Sequence, residues 1–279
     1  MECATAKPRV VATDLDGTLL RSDGSISAFT RAVLARAAAA GIETVCVTAR
    51  PLRWLTDIAP VVPQGASVIC LGGACVAVAD RGGFRVSESR GFAHDALVRI
   101  ASRLRRDLPG VLIGAEWPSG PVFDDEFPVL SSPTGSVVGR DDVPRGRVEL
   151  AAERANGAAK ILVRHPRMSP DALRRRVRAA AGDGAQFADS GVPHLVELYP
   201  PGVTKAVGLA RWCTARAIPR ERVWAFGDMP ADIPMLEWAG RSFAVGRAHP
   251  DVLARAMHYA GSNDDDAVAR VLDAWVGGA

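Results

Sequence analysis

Long apolar runs are missing from this chain of 279 residues. Stretches such as Val10–Ala12 and Val68–Leu71 have the length of strands, far short of the roughly 20 residues that a membrane-spanning helix needs. No span is expected. Met1 to Pro8 carry Glu2 and Lys7 and no apolar stretch ahead of a small-residue cleavage site, which gives secretion no support and leaves the cytoplasm as the expected compartment. Cysteine is scarce, and Cys3, Cys46, Cys70, Cys75 and Cys213 form no CxxC pair, which argues against a structural zinc site and a disulfide framework. The five histidines have no ligand spacing and read as ordinary polar residues. Charge of one sign is scarce too. The net charge is +3, and no basic stripe with interleaved aromatics appears, so nucleic acid is not an expected partner.

What is present is ordinary for a folded protein: 48% hydrophobic and 23% charged residues, enough chain for a large core and for two modest domains. The charge surplus is local. Segment 82–190 holds 17 Lys+Arg against 14 Asp+Glu, and the remainder holds 17 of each. That suits an anionic substrate, although Arg174, Arg175, Arg176 and Arg178 also read as a solvated helix face.

Short β-rich runs alternate with helical patterns, the signature of an α/β protein with a mainly parallel sheet. A strand over Arg9–Thr13 is followed by a helix capped by Ser27 and stopping at Gly41, then by strands Thr44–Thr48 and Ser67–Leu71. After Gly72-Gly73 the rhythm changes. A hairpin turning at Asp80–Gly83 leads to a helix near Asp95–Leu108, a strand near Val111–Ala115, a loop-like stretch Glu116–Pro144 and a helix near Val148–Ala155. Strand Lys160–Arg164, a helix opened by Ser169-Pro170 and strands near Gln186 and Leu195 follow. The first rhythm then returns with a helix after Thr204, strand Val223–Phe226, a helix near Ile233–Ala239, strand Ser242–Val245 and a last helix near Asp264–Trp275. One domain, 1–80 with 191–279, is interrupted by another, 81–190.

The strongest chemical signal is Asp14-Leu15-Asp16-Gly17-Thr18, directly after an apolar strand, where ligand sites of open α/β sheets lie. A DG dipeptide alone would mean only a turn. Thr48-Ala49-Arg50, Thr204-Lys205, and Gly227-Asp228 with Asp232 four residues on fall at comparable strand ends or helix starts. A nucleotide-cofactor enzyme is disfavoured, because the first strand leads to DLDGT and not to a glycine-rich dinucleotide loop. Bland roles stay open at this point: Asp14 and Asp16 as turn caps, Lys205 as a surface lysine, Thr48 as a cap of the next helix, and Asp232 as an N-cap.

Together these residues resemble the haloacid dehalogenase superfamily, and within it the Cof-type, sugar-phosphatase-like subfamily IIB. The likeness rests on DLDGTLL after the first strand, Thr-x-Arg after the second, the lysine of Gly202-Val203-Thr204-Lys205, and the run Gly227 to Leu236. The resemblance implies a Rossmann-like core with an inserted α+β C2-type cap, and a magnesium-dependent phosphatase acting on a sugar phosphate or similar small metabolite. It implies Asp14 as nucleophile through an aspartyl-phosphate and Asp16 as general acid and base. Mg²⁺ would be held by Asp14, the Asp16 carbonyl, Asp228 and Asp232. Thr48, Lys205 and Gly17 would hold the phosphate, and Arg50 would brace the site. Substrate-reading candidates in the inserted segment are Glu116, Trp117 and Asp124, with Trp117 able to stack on a ring. Two positions depart from the family pattern: Ala231 and Gly72 stand where asparagines are usual. These motivate the alternative of a regulatory or phosphate-binding protein with a degenerate site; a phosphomutase on the same frame is a further alternative.

Overall fold

In the computed structural model the described residues are 7–56, 58–59, 62–128, 143–151, 157–189 and 192–276. Cys3, residues 129–142 of the expected loop and residues 152–155 of the expected helix after Val148 lie outside them.

The chain begins with β1 (Val10–Thr13), α1 (Ala28–Ala39), β2 (Glu43–Val47), β3 (Ser67–Cys70), β4 (Cys75–Asp80) and β5 (Gly83–Ser89). Ser27 caps α1 by accepting from the Thr30 N–H at 2.9 Å, satisfying one of the helix's orphan donors. There follow α2 (His94–Asp107), β6 (Leu112–Trp117), β7 (Gly120–Phe123), β8 (Lys160–Arg164), α3 (Pro170–Ala181), β9 (Gln186–Asp189) and β10 (Val196–Tyr199). The chain then gives α4 (Lys205–Thr214), β11 (Val223–Gly227), α5 (Ile233–Trp238), β12 (Arg241–Ala244), α6 (Pro250–Leu253), β13 (His258–Tyr259) and α7 (Ala267–Val276).

Two compact units result. The first comprises Met1–Ala49, Thr56–Arg85 and Thr204–Ala279; the second comprises Arg50–Leu55 and Val86–Val203. The division differs from the sequence boundaries at 80/81 and 190/191. Those follow turn signals, whereas the pairing of β10 with β8 and β9 keeps the chain beyond Ser190 in the second unit.

The first unit is built on an eight-stranded sheet of order β13-β12-β11-β1-β2-β3-β4-β5, parallel from β13 through β3, with β4 returning antiparallel to β3. Every residue of β1 and of β11 is buried, as expected of central parallel strands covered on both faces. Leu209, Trp212, Met235 and Leu236 from α4 and α5 pack against Val10, Ala12, Val45 and Ala225. This burial sets the carboxyl ends of β1, β2, β3 and β11 side by side.

The second unit has an antiparallel sheet of order β7-β6-β8-β10-β9. Alternate residues Ile113, Ala115, Trp117, Ile161, Val163, Val196 and Leu198 share one core with Leu97, Leu104, Leu173 and Val177 of α2 and α3. The stretch after Glu116, read from sequence as irregular, is instead a hairpin in which Trp117 pairs with Gly120. Its turn is Pro118-Ser119, and Pro121 lies in β7; an edge strand tolerates a residue that cannot donate to the ladder, so proline concealed the strand. Among the described residues no helix is long and apolar enough to cross a membrane.

Candidate active site

At the end of β1 the Asp14 N–H donates to the Phe226 carbonyl of β11 at 3.0 Å, which ties the Asp14 backbone to the neighbouring strand. The chain then turns sharply through Asp16, which is half-buried, and Gly17. Gly17 has φ +73°, and a Cβ there would stand 2.5 Å from Asp228 Oδ2. Glycine is required on both counts. Thr18, which sequence reasoning did not single out, donates through Oγ1 to Asp228 Oδ1 at 2.8 Å. Its signal was its place in the DLDGT run.

Lys205 opens α4 immediately after Thr204, whose hydroxyl accepts from the Val207 N–H at 3.1 Å. That cap aims the first turn of the helix at the strand ends. Lys205 Nζ stands 2.8 Å from Asp14 Oδ1 and donates to Asp232 Oδ1 at 2.6 Å. Asp232 Oδ2 accepts from the N–H groups of Asp228 and Met229 at 3.2 and 3.0 Å. Asp232 therefore does not use its side chain to cap α5; it reaches back and orders the loop that presents Asp228. Nor is Lys205 a surface lysine, being 5% exposed.

Thr48 is buried, and its carbonyl accepts from the Gly72 N–H at 3.0 Å, joining the loops after β2 and β3. Among the described residues the next helical turn, Leu52–Trp54, starts from Pro51 and not from Thr48. Arg50 is buried and donates to the Trp54 carbonyl at 3.2 Å. After β3, a Cβ on Gly73 would lie 2.1 Å from the Thr204 carbonyl oxygen, so the loop approaches α4 as closely as backbone allows.

Asp14, Asp228 and Asp232 are 6%, 8% and 0% exposed, and each offers an oxygen within 4.8 Å of the others'. At that distance two carboxylates repel by roughly 3 kcal/mol at an effective dielectric near 20. Burial pushes the Asp14 carboxyl up to about 8, with Asp232 and Asp228 adding to the rise and Lys205 opposing it. Burial and then Asp232 push Asp228 up to about 6, against the Thr18 hydroxyl and Lys205. Burial alone would lower Lys205, yet Asp14 and Asp232 outweigh it and hold the ammonium above its ordinary value. One lysine does not neutralise three carboxylates. The donor set is all oxygen, and it fits a hard cation; both Asp232 oxygens are already engaged, so Asp14 and Asp228 are the better-placed ligands.

The sequence candidates in the second unit are not alike. Trp117 is 1% exposed within the hydrophobic core. Asp124 accepts from Arg105 at 2.9 and 2.7 Å and from the Ile113 N–H at 2.7 Å. Both are occupied in holding that unit together, which corrects their assignment as substrate contacts. Glu116 is buried on the other face of β6 and paired with Arg53.

Residues 11–111 and 143–272 match the family model of haloacid dehalogenase-like hydrolases. The chain belongs to this family. Within it the chain is of the Cof type, and its second sheet fits a cap domain. It is 26% identical to the 5-amino-6-(5-phospho-D-ribitylamino)uracil phosphatase YitU of Bacillus subtilis (strain 168), over 95% of this chain and 97% of that one. Identity is also 26% with the pyridoxal phosphate phosphatase YbhA of Escherichia coli (strain K12), with the same coverage of each. The solved structure of the phosphatase BT1666 from Bacteroides thetaiotaomicron superposes with a TM-score of 0.80 at 23% identity, covering 99% of this chain and 98% of that one. The haloacid dehalogenase-like chain is accordingly a phosphoric monoester hydrolase.

Proposed function

We propose that this hydrolase transfers the phosphoryl group of a small phosphorylated metabolite to Asp14 and then to water. The observation that carries the reading is Lys205, placed between Asp14 and Asp232 beside Asp228. An Asp14 carboxylate attacking phosphorus forms an acyl phosphate and expels an alkoxide, dividing one hard displacement into two easier ones. Asp16, two residues on in the same turn, gives the leaving oxygen a proton and later takes one from the attacking water. Lys205, the Thr48 hydroxyl and the Gly17 backbone hold the transferring group, where stabilising spread negative charge is most of the task. Asp14 and Asp228, with the Asp16 carbonyl, would hold Mg²⁺, and Asp232 would keep the Asp228 loop and Lys205 in register. Bound there, the cation supplies the positive charge that lets a phosphate approach three carboxylates.

The two relatives act on a ribitylaminouracil phosphate and on pyridoxal phosphate. Equal identity to enzymes with such different leaving groups supports a small phosphorylated metabolite as the class and leaves its member open. We place the reaction in the cytoplasm, with neither nucleic acid nor membrane as partner.

The test is phosphate release from a panel of phosphate esters with Mg²⁺. Asp14→Asn should lower turnover on the order of 10³-fold or more. Asp16→Asn should nearly abolish release while still permitting a phosphorylated Asp14 to be seen by mass. Full activity in Asp14→Asn would sink the reading, and phosphate release without any bisphosphate activator separates it from a phosphomutase.

A further inference from the structure

Inside α4, three residues after Lys205, stands Gly208. Glycine weakens a helix, so its presence there calls for a packing reason. A Cβ on Gly208 would lie 2.9 Å from both the Cα and the carbonyl oxygen of Gly73, and 3.0 Å from Ile69 Cγ2. From the facing side, a Cβ on Gly73 would lie 2.1 Å from the Thr204 carbonyl oxygen and 3.1 Å from the Lys205 nitrogen. Neither glycine brings a side chain to the contact, so backbone meets backbone. The contact falls on the first turn of α4, which carries Lys205, and residues three apart share a helix face.

The loop on the other side of this seam is held in a costly conformation. Leu71, Gly72 and Gly73 follow one another at φ +53°, +65° and +101°. Leu71 is fully buried, and a leucine at positive φ is uncommon. Backbone of this kind persists where its surroundings over-determine it, and it gathers at functional sites. Three hydrogen bonds pin the loop: Thr48 N–H to the Ile69 carbonyl at 2.8 Å, Gly72 N–H to the Thr48 carbonyl at 3.0 Å, and Ala74 N–H to the Leu71 carbonyl at 3.1 Å. The loop thus joins Thr48 to the start of α4. At that start Lys205 Nζ stands 2.8 Å from Asp14 Oδ1 and 2.6 Å from Asp232 Oδ1, distances typical of charge-assisted hydrogen bonds.

We propose that Gly73 and Gly208 are positioning residues, whose bare contact seats α4 against the Leu71–Gly73 loop and so sets how far Lys205 stands from Asp14 and Asp232. The kinetic consequence rests on the phosphoryl transfer proposed above. A methyl group at 208 meets backbone atoms that cannot swing aside, so α4 and the loop must separate, and Lys205 withdraws with its helix. Neither glycine touches the reacting atoms.

Gly73→Ala adds the strain of a positive φ to the clash, so Gly208→Ala carries the test, because alanine suits a helix. Val207→Ala, at a neighbouring exposed position of α4, is the control. With p-nitrophenyl phosphate and Mg²⁺, and with the folded fraction fixed by thermal melts, Gly208→Ala should lower kcat about 10- to 100-fold. Val207→Ala should leave it unchanged. In a Lys205→Ala background, Gly208→Ala should alter kcat by less than about twofold, because the group it misplaces is gone. A multiplied loss in that background, or wild-type kcat in Gly208→Ala alone, would overturn the proposal. A crystal structure of the metal-free Gly208→Ala chain supplies a readout without turnover. Lys205 Nζ should stand beyond about 3.5 Å from Asp14 Oδ1, outside hydrogen-bond reach; a distance still at 2.8 Å would refute the seam's role. Absence of phosphate release by the wild type would defeat the phosphatase reading, and this distance alone then decides the seam.

Discussion

Buried charge is handled in opposite ways in the two units. In the first, three carboxylates face Lys205, and Asp14 and Asp228 are held far above the ordinary carboxylate range. In the second, Arg105 bridges Asp124 and Glu149 with four hydrogen bonds of 2.6 to 3.0 Å. There Glu149 is lowered to about 2; burial works against that shift, but hydrogen bonds from Arg105, its own backbone and Arg147 prevail. The same residue types thus make a brace where donors match acceptors and an under-compensated acid cluster where they do not. Such a cluster persists because the surrounding sheet over-determines it, and perturbed carboxylates of this kind mark a candidate site.

Four measurements can break or sharpen that contrast. The largest effect is expected from Trp117→Ala, which empties a core position of the second unit and should cost about 3–5 kcal/mol in urea unfolding. Its activity on every ester should be unchanged once corrected for folded fraction; a selective rise in KM for one substrate would return Trp117 to the binding surface. Arg105→Ala should cost about 3 kcal/mol by leaving Asp124 and Glu149 buried without their cation, again with no change in substrate preference. A loss below 1 kcal/mol would show that the brace is ornamental.

The acid cluster should be visible in pH. Asp14 and Asp228 have folded values raised above their unfolded ones, so the folded state binds more protons and stability is present below pH 4. It is lost as pH rises through about 6 and then about 8. The melting temperature of the metal-free protein should fall across that window, and added Mg²⁺ should raise it more at pH 8 than at pH 5. A Mg²⁺ shift of equal size at both values would contradict the cluster as the binding site. The smallest effect is expected at the two departures from the family pattern. Gly72 sits at φ +65°, ψ +19°, a left-handed conformation that asparagine tolerates best after glycine. Gly72→Asn should therefore change stability by under about 1 kcal/mol, and with Ala231→Asn it should raise turnover several-fold. Unchanged turnover in the double variant would mean that these carboxamides are dispensable in this chain.

Much of the first unit was legible in sequence because its signals are local. An apolar run buried on both faces reads as a central strand, and Asp14, Asp16, Lys205 and Asp228 each sit where a strand ends or a helix starts. The second unit was read less well. Trp117 and Asp124 looked like surface groups on a loop, since Pro118 and Pro121 mask the hairpin that buries one and pairs the other. Arg53 carried no signal at all, because its meaning comes from Glu116, 63 residues away.

By itself the sequence determined the fold class, the order of most elements and which carboxylates gather at the strand ends, since these follow from periodicity and from short motifs. Only the tertiary structure decided what each charge faces. It gave Asp232 to Lys205 and the Asp228 loop instead of to the cap of α5, gave Asp124 to Arg105, and paired Glu116 with Arg53. Propensity is a property of neighbours in the chain, whereas the energy of a buried charge depends on partners that only the folded packing brings near.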